Sequence, residues 1–287
     1  MAYIEELISA PDGTKLYARR REVIPSRAEI VIVHGFGEHS GRYSALSEHL
    51  ACRGFTVTAY DHRGHGQSDG LPGHIQRFSD YEDDLDCVIS AVRARSDRNI
   101  FLIGHSMGGL VALRYLGRAG RKISAAVISA PLLGFAIRVP AHKAIIGRVS
   151  ARLSPRFRMN NGIDPMVLCR DKDICLAYAQ DPLVNHLVSA RWFSEAMRGM
   201  DEARELAAKI SNPVLVMHGT EDKLASLSAT QQVFERIASV DKELVIYQGF
   251  YHELFNEPQK RELYELTADW LQRRIGQPDQ AGAAGFK

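Results

Sequence analysis

The sequence predicts an α/β fold in which a mostly parallel central sheet is flanked by helices. Short apolar runs rich in β-branched residues alternate with stretches of helical periodicity, which is the order that βαβ units produce. Clusters of glycine and polar residues directly follow these runs. Ligands bind at the carboxyl ends of the strands in such sheets, so these clusters mark the candidate site. The strand candidates are residues 30–33, 56–60, 100–103, 125–129, 214–217 and 244–247.

The chain opens on a predicted β-hairpin. Residues 4–8 and 15–19 have strand composition and flank the turn formers Asp12 and Gly13. Between the strand candidates that end at residue 130 and begin at residue 213, a long helical insert is predicted over roughly residues 135–205. We therefore expect a core in two parts, residues 1–134 and 206–276. Residues 277–287 are rich in Gly, Ala, Gln and Pro and predict a disordered tail.

Composition limits the class of protein. The 287 residues are 45% hydrophobic and 24% charged, long enough to bury one full core, and the net charge of +2 favours no nucleic-acid partner. Acidic residues stand in the first ten positions, where a signal peptide would be basic, so we expect a cytoplasmic protein. The cysteines lack metal-ligand spacing and are expected to be reduced thiols; they are Cys52, Cys87, Cys169 and Cys175.

One motif carries the chemistry. Residues 104–108 read Gly-His-Ser-Met-Gly, the G-x-S-x-G pattern of a sharp strand-to-helix turn that exposes a serine hydroxyl. Glycine at the flanking positions lets the strand and the helix pass closely. The backbone N–H of Met107, at the start of the next helix, faces any negative oxygen that forms on a substrate carbonyl. The motif predicts a serine hydrolase with Ser106 as its nucleophile.

A nucleophilic serine needs a base, and the base needs an acid that orients it. Among 11 histidines, His252 follows the last strand candidate, late in the chain, as the order serine, acid, histidine requires. His105 adjoins the serine, but neighbouring side chains on a tight turn diverge, so we expect it to pack instead. Asp222 follows the strand candidate at 214–217 and is the favoured acid, with Glu221 as its competitor.

A second donor for the negative oxygen is expected after an early strand. Residues 34–37 read His-Gly-Phe-Gly, and glycines on both sides let the backbone N–H of Phe36 approach the substrate. Its side chain is then free to line an acyl pocket. The alternative is a plain glycine-rich connection between strand and helix. Residues 61–69 also end a strand, and we interpret them as a structural loop held by its polar groups, with histidines that are not ligands.

Two longer stretches extend the comparison to a known family. Residues 34–43 (HGFGEHSGRY) and 61–68 (DHRGHGQS) resemble the monoacylglycerol lipase and lysophospholipase branch of the α/β-hydrolase superfamily, over residues 3–274. The resemblance implies an α/β-hydrolase fold with a helical cap inserted before the late strands, at residues 135–205. It implies no cofactor and no metal. It implies Ser106 as nucleophile, His252 as base, Asp222 as acid, and Phe36 and Met107 as oxyanion donors.

The resemblance also implies substrate contacts. Glu38 and Arg42 match positions that surround the glycerol head group in monoacylglycerol lipases. From the cap, Ile137 and Ile145 are expected to contact the substrate. The chain departs from the branch at Phe255, where those lipases often carry a second histidine.

The predicted cap is basic. No Asp or Glu occurs between residues 98 and 163, and six Lys and Arg residues lie in the cap portion of that stretch. Ile145 belongs to an apolar helical stripe that several of these residues flank. One interpretation is docking on anionic lipid head groups with peripheral membrane contact, and the other is a solvated basic face. The basic residues are Arg138, Lys143, Arg148, Arg152, Arg156 and Arg158.

These observations predict a serine esterase that acts through an acyl-enzyme on monoesters of medium or long acyl chains, such as monoacylglycerols or lysophospholipids. Thioesterases, short-chain esterases, aminopeptidases and perhydrolases share the same three catalytic residues, so the leaving group stays open. A module that binds a lipid or a partner without catalysis is the alternative from another class. The retention of a base suited to proton transfer argues against that alternative.

Overall fold

The computed structural model describes residues 2–118, 120–136 and 153–276. Within these residues, ten strands form one large sheet and one small sheet. The strands, in chain order, are β1 (Ile4–Ser9), β2 (Lys15–Arg21), β3 (Ala28–Val33), β4 (Phe55–Tyr60), β5 (Ile100–His105), β6 (Ala125–Ser129), β7 (Arg158–Asn160), β8 (Leu187–Ser189), β9 (Val214–Gly219) and β10 (Lys242–Tyr247).

The large sheet has the order β1-β2-β4-β3-β5-β6-β9-β10. All neighbouring pairs from β4 to β10 are parallel, and β2 runs antiparallel to both β1 and β4. The predicted parallel sheet and opening hairpin are therefore confirmed. The strands extend beyond the predicted runs where pairing continues through less apolar residues, as in β9, whose Gly219 still pairs with Tyr247.

Helices cover both faces of the sheet. Successive strand side chains point to opposite faces, so Ile30 and Ile32 of β3 join one apolar cluster while Val31 and Val33 join the other. No helix among the described residues has the length and apolar character that a bilayer crossing requires. The helices are α1 (Ser44–Cys52), α2 (Ser79–Arg93), α3 (Met107–Leu116), α4 (Lys172–Gln180), α5 (Ala190–Leu206), α6 (Leu227–Arg236) and α7 (Lys260–Gln272).

The two clusters differ in which helices build them. The first takes side chains from α2, α3 and α5, including Trp192. The second, on the other face, takes side chains from α1 and α7, including the fully buried Trp270. Hydrophobic side chains therefore cover both faces of the sheet, and the polar residues lie at the ends of the strands.

The described part of the predicted helical insert is not wholly helical. Alongside α4 and α5 it contains the antiparallel pair β7 and β8. These strands have three residues each, too few to show the period-two alternation that identifies a strand in a sequence. The division of the chain into core and cap stays a prediction. Several predicted features lie outside the described residues: Ile137, Ile145, Arg138, Lys143, Arg148, Arg152 and the tail at residues 277–287.

The loop after β4 is held by its own polar groups, as predicted. Asp61 accepts hydrogen bonds from the N–H of Ser40 at 2.7 Å and from the N–H of Gln67 at 2.8 Å. The hydroxyl of Ser68 donates to the carbonyl of Asp61 at 2.6 Å. These contacts fix the loop against the segment that follows β3.

Three histidines join the ends of β3 and β4. The ring of His34 accepts from the N–H of His62 at 2.9 Å, and the ring of His62 donates back to the carbonyl of His34 at 3.2 Å. The ring of His65 packs edge-on against His34 and against Phe36. Burial lowers the pKa of all three histidines, to about 3 for His65, so they stay neutral.

A neutral buried histidine makes stability depend on pH. In the unfolded chain His65 regains a pKa of about 6.5. Its contribution to the free energy of unfolding is therefore present above about pH 6.5 and is lost as the pH falls. The ring of the variant His65→Phe does not titrate. When the pH is lowered from about 7.5 to about 5.5, we expect its free energy of unfolding to rise by about 1.4 kcal/mol relative to that of the wild type.

Urea denaturation of both proteins at the two pH values measures this difference. Comparing the two chains cancels the titration of every other group, including histidines whose pKa moves in the opposite direction. A gap between variant and wild type that is the same at both pH values would contradict a neutral His65.

Candidate active site

Ser106 lies on a strained turn between β5 and α3. Its φ of 50° is in the left-handed region that side chains with a Cβ avoid. Backbone hydrogen bonds hold this conformation: the N–H of Ser106 donates to the carbonyl of Ser129 at 3.0 Å, and its own carbonyl accepts from the N–H of Leu132 at 2.9 Å.

Two glycines make this turn possible. A Cβ on Gly108 would lie 2.0 Å from the carbonyl oxygen of Val33 in β3. A Cβ on Gly104 would lie 2.7 Å from the carbonyl oxygen of Gly108. Both distances are far below van der Waals contact, so only glycine fits at either position. The strand and the helix pass as closely as the motif predicts.

The structure brings together the three residues that the sequence singled out. The Oγ of Ser106 is 2.9 Å from Nε2 of His252, and Nδ1 of His252 is 2.7 Å from Oδ2 of Asp222. Since a carboxylate only accepts, Nδ1 carries the proton and Nε2 is free to accept from the serine hydroxyl. The three side chains come from the ends of three different strands, β5, β9 and β10.

The competing residues lie elsewhere. Glu221 is exposed to solvent, so it does not replace Asp222 beside the histidine. His105 is buried, with its ring centroid 4.8 Å from that of His252 and its Nδ1 3.2 Å from the carbonyl of Ser129. Burial and the neighbouring His252 lower the pKa of His105 to about 4. It packs against the base, as predicted.

The ionised Asp222 stabilises a positive charge on His252 when that base takes up a proton. Burial opposes ionisation of Asp222, but the histidine beside it outweighs burial and holds the pKa of Asp222 well below its usual range. Burial likewise opposes protonation of His252, but the Asp222 charge and hydrogen bond raise its pKa. The backbone N–H groups of Leu224 and Ala225 donate to Oδ1 of Asp222 at 2.8 and 2.9 Å.

The segment after β3 passes beside the serine. A side chain at Gly35 would be crowded, since a Cβ there would lie 2.9 Å from Oε1 of Glu38 and 3.2 Å from the Cβ of Ser106. Among the described residues, no acceptor is bonded to the N–H of Phe36 or of Met107. The carbonyl of Gly37 accepts from the N–H of Asn185 at 2.7 Å, which ties this segment to the loop before β8.

Arg42 contacts two buried carboxylates. It donates to both oxygens of Glu253 at 2.6 and 2.7 Å and to Glu38 at 2.9 Å. Glu38 also accepts from the N–H of Gly35 at 2.6 Å, and Glu253 directly follows His252. One guanidinium therefore joins the segment that carries Phe36 to the loop that carries the base.

The charges of this cluster are fixed. Burial raises the pKa of Glu38, but Arg42 and nearby histidines outweigh it and bring the pKa to about 2. The pKa of Glu253 is also lowered, because Arg42 outweighs the effect of burial. Two ionised carboxylates and one guanidinium leave a negative charge beside His252. Sequence analysis missed Glu253, although its position next to the base was a usable signal.

A cleft of about 410 Å³ opens above Ser106. The volume lies in the range of small-molecule sites, and the lining is mainly hydrophobic. Glu38 lines this cleft, whereas Arg42 lines a small adjoining cavity, together with Phe255. The guanidinium of Arg42 is engaged by the two carboxylates, and its contact with a substrate stays a prediction. The apolar lining includes Phe36, Leu132, Phe135, Val188, Trp192 and Leu224.

Aromatic contacts stiffen the wall of the cleft. The ring of Phe36 lies 4.0 Å, centroid to centroid, from Trp192, whose indole N–H donates to the hydroxyl of Tyr81 at 3.2 Å. Phe135 and Phe193 stack at 5.4 Å. No group of three or more metal-ligating side chains is found in the described part of the chain. The arrangement suits attack by a serine on a substrate with an apolar chain.

Comparison with known proteins gives a consistent picture. The family model described as "Serine aminopeptidase, S33" matches residues 24–259. The chain is 31% identical to a monoacylglycerol lipase of Mycolicibacterium smegmatis, covering 85% of this chain and 88% of that protein. It is 32% identical to phospholipase YtpA of Bacillus subtilis, covering 86% and 96%. It spans 26% of an uncharacterized abhydrolase domain-containing protein of Dictyostelium discoideum.

A solved structure matches over nearly the whole chain. The monoacylglycerol lipase of Paleococcus ferrophilus is 32% identical, with a TM-score of 0.82, and the match covers 96% of this chain and 100% of that one.

The Arg42 cluster generates a stability prediction. Replacing Arg42 with methionine leaves two buried carboxylates without their cation, so we expect the free energy of unfolding to fall by about 3–5 kcal/mol. The double variant Arg42→Met/Glu253→Met removes one of the stranded charges and should recover part of the loss. Urea denaturation measures both. An Arg42→Met variant as stable as the wild type would show that the cluster is not a buried ion pair.

Proposed function

Since the chain belongs to the serine aminopeptidase S33 family of α/β-hydrolases, in the monoacylglycerol lipase branch, we propose that it hydrolyses monoacylglycerols or lysophospholipids. The protein is a serine ester hydrolase. The observation that carries the substrate proposal is the line of hydrogen bonds from Ser106 through His252 to Asp222, together with the cleft above Ser106 and its apolar wall.

The proposed reaction is two-step acyl transfer. The Oγ of Ser106 attacks the ester carbonyl carbon while Nε2 of His252 takes its proton. The backbone N–H groups of Phe36 and Met107 bind the negative oxygen that forms. When the carbon–oxygen bond to the alcohol breaks, His252 returns the proton to the leaving alcohol. A water molecule, deprotonated by His252, then releases the fatty acid and restores the serine.

The cleft supports an acyl chain with a small polar alcohol. Its walls are hydrophobic, while Glu38, His105 and Glu253 lie at the end beside the serine. An apolar chain gains about 0.8 kcal/mol for each methylene that it buries, so longer chains bind more tightly until the cleft is full. We place the acyl chain along the Phe36 and Trp192 wall.

The same geometry argues against peptide substrates with a free amine. Such a substrate needs a carboxylate to anchor its ammonium group. Both oxygens of Glu253 accept from Arg42, and Glu38 accepts from Arg42, from the N–H of Gly35 and from the hydroxyl of Tyr43. These carboxylates already have partners, so an ester is the better substrate.

Initial rates on a long-chain monoacylglycerol, a matched lysophospholipid and a short-chain nitrophenyl ester test the proposal. We expect turnover of a long-chain substrate, and a loss of about 10⁴ to 10⁶ in the variant Ser106→Ala, which lacks the nucleophile. Cleavage of the short ester alone would replace the lipase proposal with a general esterase. No cleavage by the wild type, with no labelling of Ser106 by a fluorophosphonate, would favour a binding module.

We also propose that the surface beside the cleft touches anionic membranes. Leu153 is 82% exposed, and Phe157 and Met159 are more than half exposed. Arg156 and Arg158 alternate with these apolar side chains, a few residues before Asn161 and Gly162 at the cleft. The mixture of exposed apolar and basic side chains is typical of a surface that lies in the lipid interface.

Vesicle sedimentation tests the membrane proposal. Each basic residue near an anionic surface contributes about 1 kcal/mol, so we expect Arg156→Gln/Arg158→Gln to bind phosphatidylglycerol vesicles about 30-fold more weakly. The matched control is Arg261→Gln/Arg273→Gln, which removes two exposed arginines, one in α7 and one directly after it, on the other side of the sheet. Binding that changes neither with the salt concentration nor with the charge of the vesicles would contradict the proposal.

A further inference from the structure

A second histidine contacts the same carboxylate oxygen as His252. His218 is the fifth residue of β9 and is completely buried. Its Nε2 lies 3.2 Å from Oδ2 of Asp222, the atom that Nδ1 of His252 approaches at 2.7 Å. Neither the sequence motifs nor the proposed reaction assigns any role to His218.

The neighbours of His218 determine where its proton is. Its Nε2 donates a hydrogen bond to the carbonyl of Ala225 at 3.3 Å and lies 3.2 Å from Oδ2 of Asp222. Both groups only accept, so Nε2 carries a hydrogen. Nδ1 is buried and has no hydrogen-bond partner within the described ranges. A proton on Nδ1 would be a buried donor with no acceptor, which is costly, so the hydrogen bonds assign the neutral tautomer with hydrogen on Nε2.

This N–H is shared between the carbonyl of Ala225 and Oδ2 of Asp222, and it adds to the donors around Asp222. The backbone N–H groups of Leu224 and Ala225 hold Oδ1, and they leave Oδ2 free to swing as the side chain turns. The outer torsion of an aspartate is soft, so one anchored oxygen does not fix the plane of the carboxylate. A donor on Oδ2 from a rigid strand supplies the second anchor.

We propose that His218 is a positioning residue, which holds the Asp222 carboxylate at the rotation where Oδ2 faces Nδ1 of His252. The carboxylate then orients the base toward Ser106. The donor also stabilises the ionised acid, so the proton taken from the serine stays on His252. The inference rests on the proposed function, since it assigns His218 to the acid of that reaction.

Two substitutions at one position separate positioning from packing. His218→Gln keeps an N–H donor at about the same reach, whereas His218→Leu keeps the bulk and removes the donor. Loss of one hydrogen bond to a charged group corresponds to a factor of roughly 10 to 100. We expect His218→Leu to lower kcat on the nitrophenyl ester by that factor with little change in KM, and His218→Gln to recover most of the loss. The matched control is His49→Leu, which makes the same substitution at a histidine of α1.

Two outcomes overturn the inference. One is a His218→Leu variant with the kcat of the wild type, and the other is a His218→Gln variant that loses as much as His218→Leu. The variant Asp222→Asn shows whether such a result concerns the role of His218 alone or the proposed function as a whole. If Asp222→Asn is fully active, the proposed acid is wrong. If Asp222→Asn is inactive while His218→Leu is active, only the role of His218 is wrong.

Spectroscopy of the unmodified protein tests the inference without any variant that might unfold. Nitrogen-15 NMR of the histidine rings distinguishes a protonated from an unprotonated ring nitrogen. We expect His218 to show hydrogen on Nε2 and a bare Nδ1, with a low-field proton between His252 and Asp222. A bare Nε2 on His218, with hydrogen on Nδ1 alone, would exclude the proposed contact with Asp222.

Discussion

The close passage of α3 across β3 is the constraint on which the rest of the structure depends. The backbone at Gly108 lies so near the carbonyl of Val33 that no side chain fits between them. Because the helix starts there, Ser106 must turn through a left-handed conformation and stand at the carboxyl edge of the sheet. Parallel strands end at that same edge, so the loops after β3, β9 and β10 lie close to the serine.

The charges around the serine are arranged by burial as much as by pairing. The histidines behind the segment that carries Phe36 are neutral, while the carboxylates near His252 are ionised. Arg42 offsets only part of that negative charge. The result is a base whose pKa is raised and an acid that stays ionised, inside a cleft with an otherwise apolar wall. Burial keeps these histidines neutral, whereas pairing with Arg42 keeps the buried carboxylates ionised against the effect of burial.

Short sequence motifs made much of the candidate site predictable. Local spacing identified the turn at Ser106 and the late His252, because both lie directly after apolar runs. The choice between Glu221 and Asp222 was harder, since neighbours in a loop point in different directions that spacing does not show. The pairing of Arg42 with Glu253 could not be predicted, because the two residues are distant in sequence, although each lies beside a motif residue. His218 directly follows the apolar run at residues 214–217, and no spacing marks its contact with Asp222, while β7 and β8 are too short for any period to appear.

The placement of the two tryptophans has a practical consequence. Trp192 forms part of the cleft wall, against Phe36, whereas Trp270 is fully buried in the cluster on the opposite face of the sheet. An acyl chain that enters the cleft changes the surroundings of one indole and leaves the other untouched. Intrinsic fluorescence therefore contains its own internal reference, and occupancy of the cleft can be followed optically, in real time, with an unlabelled protein.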